Sequence, residues 1–507
     1  LGGCWHLRDA MDYMTTASLA VADLASRLRE DYLFNIYWMG KRQIARGEAA
    51  EGGPFAYVVD LEAQHDAPTT LEFLETLRIA GIEIHRSDAS FTADGKTYPG
   101  GTYVIGPQAF RPYVVDMMEP KTYPDRRLYP GGPPEPPYDM TGYELRFQMG
   151  ATVDRVMEPF PMPGAPVEEL APAPGGVTGS GDTYLLSPDA NASVAAVSRL
   201  LAAGASVARS RTAFQAAGAA WPAGTFVLRG TGRDAVDAAA RELGLRMTAV
   251  AAAPSVPSDP MHAPRVGIYR SWVSSMPEGW TRWLLDGYGI DWESLTNDQV
   301  RSGDLGRYDI VIVPAQSADA IYEGHDARRM PAEYVGGLGA EGTAALRRYV
   351  EEGGWLLAFD DAVDYAIDRL ELPVRNVTRE LDDQDFFIPG SLIRIDVDTA
   401  DPLARGMPGE ATAMFARSQA LEVGAGLAAS DVDVFSSYRT EDFLLSGWHL
   451  GGERHLAGKA AGVRVPLGSG QVVLIGFTPH FRGQSRNTYK LLLNPILQSA
   501  TEHAPVR

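Results

Sequence analysis

The chain has 507 residues, 45% hydrophobic and 22% charged, an ordinary globular composition with room for about three domains. A net charge of −20 argues against a nucleic-acid partner, which needs clustered Lys and Arg to neutralise phosphates. Cys4 is the only cysteine, which excludes an internal disulfide framework and a Cys-based zinc cluster, and no run of about 18 apolar residues is long enough to span a membrane.

In chain order, residues 1–47 read as two helices. Leu7, Met11, Met14, Ser18, Val21, Ala25, Leu28 and Tyr32 follow the spacing of one buried face. Such a face needs partners and no element precedes it, so the chain reads as the downstream piece of a longer polypeptide. Gly47 and Gly52-Gly53-Pro54 stop the helices. A strand at 55–60, a helix at 69–80 and a parallel strand at 82–86 form a βαβ unit. A hairpin follows, with Asp94-Gly95 as its tight turn. Residues 120–176 hold 13 prolines, and Tyr123, Tyr129, Tyr138, Tyr143 and Phe147 are expected to pin part of this stretch to a surface. Residues 159–181 read as a linker.

Residues 80–107 recur at 203–230 in a constant register. Ala80-Gly81 lies over Ala203-Gly204, Phe91 over Phe214, and Tyr98-Pro99-Gly100-Gly101-Thr102-Tyr103-Val104-Ile105 over Trp221-Pro222-Ala223-Gly224-Thr225-Phe226-Val227-Leu228. Glycines, proline and apolar residues recur, whereas Glu83, His85 and Asp88 become Ser206, Ala208 and Arg211. The duplication keeps a scaffold rather than a catalytic site. Arg86 and Arg209 are the only charged residues kept, and a buried ion pair in each copy is expected. After a hinge at 254–264, strands and helices alternate to the C-terminus, the pattern of a doubly wound, flavodoxin-like α/β sheet.

The nine histidines (His6, His65, His85, His262, His325, His449, His455, His480 and His503) show no His-Glu-x-x-His or His-x-x-Glu spacing. Gly-x-Ser-x-Gly is absent, and neither a Walker loop nor a Gly-x-Gly-x-x-Gly after a strand is present. Two clusters remain. Asp360 and Asp361 follow the apolar run Trp355–Phe359, where a sharp strand-to-helix turn places side chains at the carboxyl edge of the sheet. They suit a general base or a cation ligand, or a plain helix cap. The second cluster, with His480, Arg482, Gln484 and Arg486 after the last strand, suits an anion or a carboxylate, or acidic loops of the same chain.

Several segments resemble the downstream part of large bacterial proteins of the zinc carboxypeptidase (carboxypeptidase A-like) family. They are Gly2-Gly3-Cys4-Trp5-His6-Leu7-Arg8-Asp9, Tyr32-Leu33-Phe34-Asn35-Ile36-Tyr37-Trp38-Met39-Gly40, Gln64-His65-Asp66-Ala67-Pro68-Thr69-Thr70 and Tyr98-Pro99-Gly100-Gly101-Thr102-Tyr103-Val104. Tyr123-Pro124-Asp125-Arg126-Arg127, Tyr138-Asp139-Met140-Thr141-Gly142-Tyr143 and Gly476-Phe477-Thr478-Pro479-His480-Phe481-Arg482 belong with them.

The repeat and the resemblance together imply an α/β chain of several parts. These are a helical remnant of a peptidase domain (1–50), a first repeat module (51–158), a second (182–256), and a class I glutamine amidotransferase-like domain (264–507). The family's zinc ligands and catalytic Glu would lie before Leu1, so the zinc is expected in an upstream domain and this chain alone is expected to be inactive. The position of the amidotransferase Cys falls at Asp360, and His480 falls near the triad His. The implied role is an accessory portion of a periplasmic or extracellular hydrolase acting on peptides, partnered by its own peptidase domain. The alternatives are a binding module for peptide or glycan, and an enzyme using an Asp/His pocket.

Overall fold

The computed structural model describes residues 3–424 and 431–501; His503 lies outside them. The chain divides into two units. One comprises residues 3–60, 76–115 and 153–168, and the other residues 61–75, 116–152, 169–424 and 431–501.

The first unit begins with helices α1 (Leu7–Arg27) and α2 (Arg29–Glu48). The face expected to be buried is open: Leu7, Met11, Met14 and Val21 are 80%, 59%, 70% and 67% exposed, and α1 buries no residue. The rest is a four-stranded sheet in the order β2 (His85–Arg86), β5 (Tyr103–Ile105), β1 (Ala56–Val59), β6 (Asp154–Val156). The hairpin of β3 (Phe91–Ala93) and β4 (Lys96–Tyr98) stands beside it. Asp94 and Gly95 both have positive φ (46° and 74°), as a tight two-residue turn requires. β1 and β2 run in the same direction, as the βαβ pattern predicts, but the antiparallel β5 lies between them. Phe55, Val58, Tyr98, Val104 and Val156 form the core, with Phe91 and Phe160 stacked at 5.7 Å. The unit boundaries fall within helices α3 (Ala67–Ile79) and α4 (Arg111–Met118).

The second unit contains the short α5 (Leu145–Gln148) and a six-stranded sheet. Its order is β14 (Ser258–Met261), β9 (Ser206–Ser210), β12 (Phe226–Arg229), β8 (Thr183–Leu186), β13 (Arg246–Val250), β7 (Gly176–Gly179). Helices α6 (Ala192–Ala202) and α7 (Arg233–Glu242) and the hairpin β10 (Phe214–Ala216) and β11 (Ala219–Trp221) complete this second copy. The expected linker at 159–181 contributes β7, and the expected hinge at 254–264 contributes β14. Both became edge strands because each offers a row of backbone donors and acceptors to an open sheet edge.

The two copies share hydrogen bonds as well as topology. Ser87 N donates to Thr102 O at 2.9 Å and Gly101 N to Ser87 O at 2.8 Å; Ser210 with Thr225, and Gly224 with Ser210, repeat both bonds at the same lengths. Gly101 and Gly224 have φ of 92° and 90°, a backbone that explains why the glycine is kept.

The remaining elements form a mixed sheet. Its parallel part has the order β16 (Trp292–Leu295), β15 (Val266–Tyr269), β17 (Ile310–Val313), β18 (Trp355–Phe359), β26 (Gly470–Ile475). It continues antiparallel through β25 (Ala460–Leu467), β23 (Asp433–Tyr438), β20 (Pro389–Val397) and β21 (Glu410–Ala416). The side pairs involve β19 (Val374–Asn376), β22 (Leu421–Val423) and β24 (Leu444–Ser446). The helices are α8 (Met276–Tyr288), α9 (Asn297–Ser302), α10 (Ala318–Tyr322), α11 (Gly339–Glu351), α12 (Ala362–Arg369), α13 (Gly452–His455) and α14 (Tyr489–Ser499). β18 is buried along its whole length, which fits an unbroken apolar run at the centre of a parallel sheet. One core runs from Tyr184 in β8 to Leu497 in α14, so the second repeat and the terminal sheet share an interior.

The proline-rich stretch is pinned, but not by its tyrosines. Tyr123, Tyr129, Tyr138 and Tyr143 are exposed and Phe147 is half-buried, whereas Thr141 and Gln148 are buried. Thr141 Oγ1 meets Gly390 O at 3.0 Å and Ser391 Oγ at 2.9 Å. Polar bonds to β20 fix the segment where ring burial was expected. Among the described residues no helix is long and apolar enough to cross a membrane.

Candidate functional site

β18 ends at Phe359, and the chain turns sharply through Asp360, at φ 53°, into α12. Only a few non-glycine residues hold this left-handed conformation, at a cost of roughly 1 kcal/mol or more. Asp360 N donates to Ile475 O at 2.8 Å, and its Oδ2 accepts from Thr478 Oγ1 at 2.7 Å. The turn thereby joins the carboxyl ends of β18 and β26. Burial, then the Asp361 charge, pushes the Asp360 carboxyl up to about 7.

Asp361 occupies the N-cap position of α12, yet its side chain makes no cap hydrogen bond. Its Oδ1 accepts instead from Gln419 Nε2 at 2.7 Å. Gln419 is held in place by its backbone: its N donates to Gly476 O at 2.6 Å and its O accepts from Tyr438 Oη at 2.7 Å. The Gln419 amide oxygen takes Asn376 Nδ2, which also reaches Asp364 Oδ1 at 3.0 Å. Burial raises the Asp364 carboxyl. Arg417, two residues before Gln419, is a second non-glycine residue with positive φ (58°), and its guanidinium lies 5.0 Å from the centre of the Phe387 ring.

His480 does not join this group. Its ring is fully buried, Nε2 lies 2.9 Å from Thr281 Oγ1, and Phe359 meets the ring edge-on at 5.2 Å. Burial lowers it to about 4, so the imidazole is neutral near pH 7. Arg482 makes a two-bond pair with Asp139, both at 2.8 Å, which with the Tyr143 hydroxyl draws the Asp139 carboxyl down to about 2. Gln484 is exposed. The structure therefore joins Asp360 to Thr478, from the second cluster's segment, and commits His480 and Arg482 elsewhere.

The site residues absent from the sequence reading are Gln419, Asn376 and Asp364. Asp364 carries a readable signal, three positions after Asp361 on one helix face. Gln419, from the loop before β22, and Asn376, at the end of β19, carry none. A Gly-x-Gly-x-x-Gly run, Gly337–Gly342, does open α11, but it follows isolated bridges of Val335 and Gly336 to His325 rather than a strand. A Cβ on Gly337 would collide with the backbone of Ile321 and Tyr322, so that glycine allows close packing.

Among the described residues no group of three or more His, Cys, Asp or Glu is placed to hold a metal ion. His65 spends its Nε2 on Gly406 O, His262 on Asp309 and His325 on Trp272 O. The described residues do not fit a zinc centre.

No family model matches the chain. No curated protein matches it either. Solved structures share a remote likeness. A cytoplasmic protein of Salmonella typhimurium is 15% identical with a TM-score of 0.31, over 47% of this chain and 100% of its own. A ThuA-like protein from Bacteroides uniformis is 12% identical at 0.29, over 48% and 92%. A β-galactosidase from Bacillus circulans is 12% identical at 0.29, over 48% of this chain and 32% of the enzyme. Likeness at this level assigns no activity to the chain.

Proposed function

We propose that this chain is the non-catalytic accessory portion of a periplasmic or extracellular zinc metallocarboxypeptidase-like hydrolase acting on peptides. A peptidase domain supplies the zinc and the catalytic carboxylate and covers α1 and α2. The terminal sheet is then a flavodoxin-like, amidotransferase-type layer in which Asp360 stands at the nucleophile position. The observation that carries this reading is the open apolar face of α1, whose 21 residues bury no side chain. A surface of this kind marks an interaction site. His480 bonds to Thr281 rather than to Asp360 or Asp361, which speaks against an Asp/His enzyme.

Replacing Leu7, Met11 and Met14 with Ser is the test. If the face belongs to a partner, the melting temperature of the chain stays within about 2 °C and binding of an apolar dye falls. A larger drop in melting temperature would make α1 part of this chain's own core and remove the basis for the reading.

A further inference from the structure

The loop between β19 and β20 roofs a cavity of about 230 Å³, lined by Asp361, Asp364, Thr378, Arg379, Phe386 and Gln419 among others. A neighbouring cavity of about 580 Å³ shares Asp364, Arg379 and Leu381 with it. Together they fall in the range of small-molecule sites, roughly 300–1,000 Å³.

Three features define the occupant. First, the polar wall is a fixed chain of planar groups. Asp361, Gln419, Asn376 and Asp364 are bonded in sequence, and Asn376 Oδ1 also accepts from Thr378 N at 3.0 Å and Thr378 Oγ1 at 2.8 Å. Asp361 Oδ1 is taken by Gln419, and among the described residues no donor meets its other oxygen.

Second, the charged side chains that the two cavities share, Asp364 and Arg379, are already paired. Arg379 lies 2.6 Å from Asp368 and 3.6 Å from Asp364, Arg375 pairs with Glu422, and Lys459 lies 3.2 Å from Glu422. At the Arg379–Asp364 pair a charged ligand would have to displace a partner, whereas a hydroxyl can accept from the guanidinium and donate to the carboxylate without disturbing it. Third, Leu381, Phe386 and Ile388 are among the lining residues and add apolar surface to the polar groups. A molecule that presents hydroxyls on its edge and C–H groups on its face matches both.

We propose that this cavity binds a neutral mono- or disaccharide, held by Asp361, Asp364, Gln419 and Arg379 and resting on Leu381 and Phe386. The assignment concerns this chain alone and stands apart from the accessory role. His455, on the wall of the larger cavity, keeps a buried Nε2 with no hydrogen-bond partner among the described residues, a polar atom available to that end of a disaccharide after a small shift.

The test is ligand-observed NMR and calorimetry on the full chain, with glucose, galactose, mannose, cellobiose and lactose as probes. At least one binds, and Asp361→Asn and Gln419→Ala each weaken it by about tenfold or more, the effect of losing one hydrogen bond to a charged or buried group. Should either variant lose its cooperative melt, Arg379→Ala replaces it, since that side chain is 44% exposed and carries little of the fold. If none of the five sugars binds, or if binding is unchanged in these variants, the assignment is overturned. Binding of inorganic phosphate or Gly-Leu at these residues, without sugar, overturns it equally.

Discussion

The two copies of the repeat hold the same backbone bonds around Ser87 and Ser210, yet they treat the preceding arginine in opposite ways. Arg86 is exposed, its guanidinium 5.9 Å from the Tyr103 ring centre. Arg209 is 1% exposed, 5.8 Å from the Phe226 ring centre, and donates to Asn494 Oδ1 at 2.8 Å. Its Nε and Nη1 find no partner among the described residues, and burial, then repulsion from Arg405, lowers it to about 9. Among the described residues the ion pair expected in each copy is present in neither: one guanidinium sits in solvent, and the other is shut in beside an amide. Duplication preserved the backbone frame and the ring beneath the arginine, while the surroundings set what each charge experiences. The same divide separates the neighbours Asp360 and Asp361, one half-buried and bonded inward, the other exposed.

The largest expected effect tests the arginines. Arg209→Ala leaves Asn494 Oδ1 unpaired in a new cavity and costs about 3 kcal/mol in chemical unfolding. Arg86→Ala costs less than about 0.5 kcal/mol. Equal losses would break the comparison.

Next comes the pH dependence of Asp360. Its folded value, about 7, lies above the unfolded value near 3.8, so its favourable contribution is complete below the unfolded value and is lost as pH rises through about 7. After allowance for solvent screening the loss is about 2 kcal/mol, and Asp360→Asn removes this part of the profile. A wild-type and variant pair with identical profiles would contradict the assignment.

The glycines sharpen the contrast further. A Cβ at Gly224 would lie 3.0 Å from Arg405 Cβ, whereas at Gly101 it would meet only the end of Arg86 at 3.3 Å. Gly224→Ala should cost about 1.5 kcal/mol and Gly101→Ala about 1 kcal/mol, read from unfolding midpoints. The smallest effect is at the hairpin turns. Asp94 accepts from Met157 N and Glu158 N, while Ala217 holds a similar φ of 53°. Ala217→Asn should raise stability by about 0.3 kcal/mol, because Asn tolerates the left-handed conformation better than Ala.

The local grammar of this chain was legible. The β3–β4 turn follows from Asp94-Gly95, β18 from five apolar residues in a row, and the repeat from its glycines and rings. What could not be read were partnerships set by burial and long-range pairing. The β7 and β14 segments look like linker and hinge because their edge positions depend on strands far away in sequence. The α1 face looks like core because periodicity reports amphipathicity, not what covers it. At the site, Asp360 and Asp361 were visible from the strand-to-helix turn. Gln419, 58 positions beyond Asp361, carries no local signal of its role.

Our central proposal is that the groups able to hold zinc and cleave a terminal amide belong to a peptidase domain that partners this chain. Equilibrium dialysis of the purified chain against zinc, followed by an assay for amino acids released from peptide C-termini, tests it most directly. We expect substoichiometric zinc and no release. One tightly held zinc per chain, with steady removal of C-terminal residues, would contradict the account.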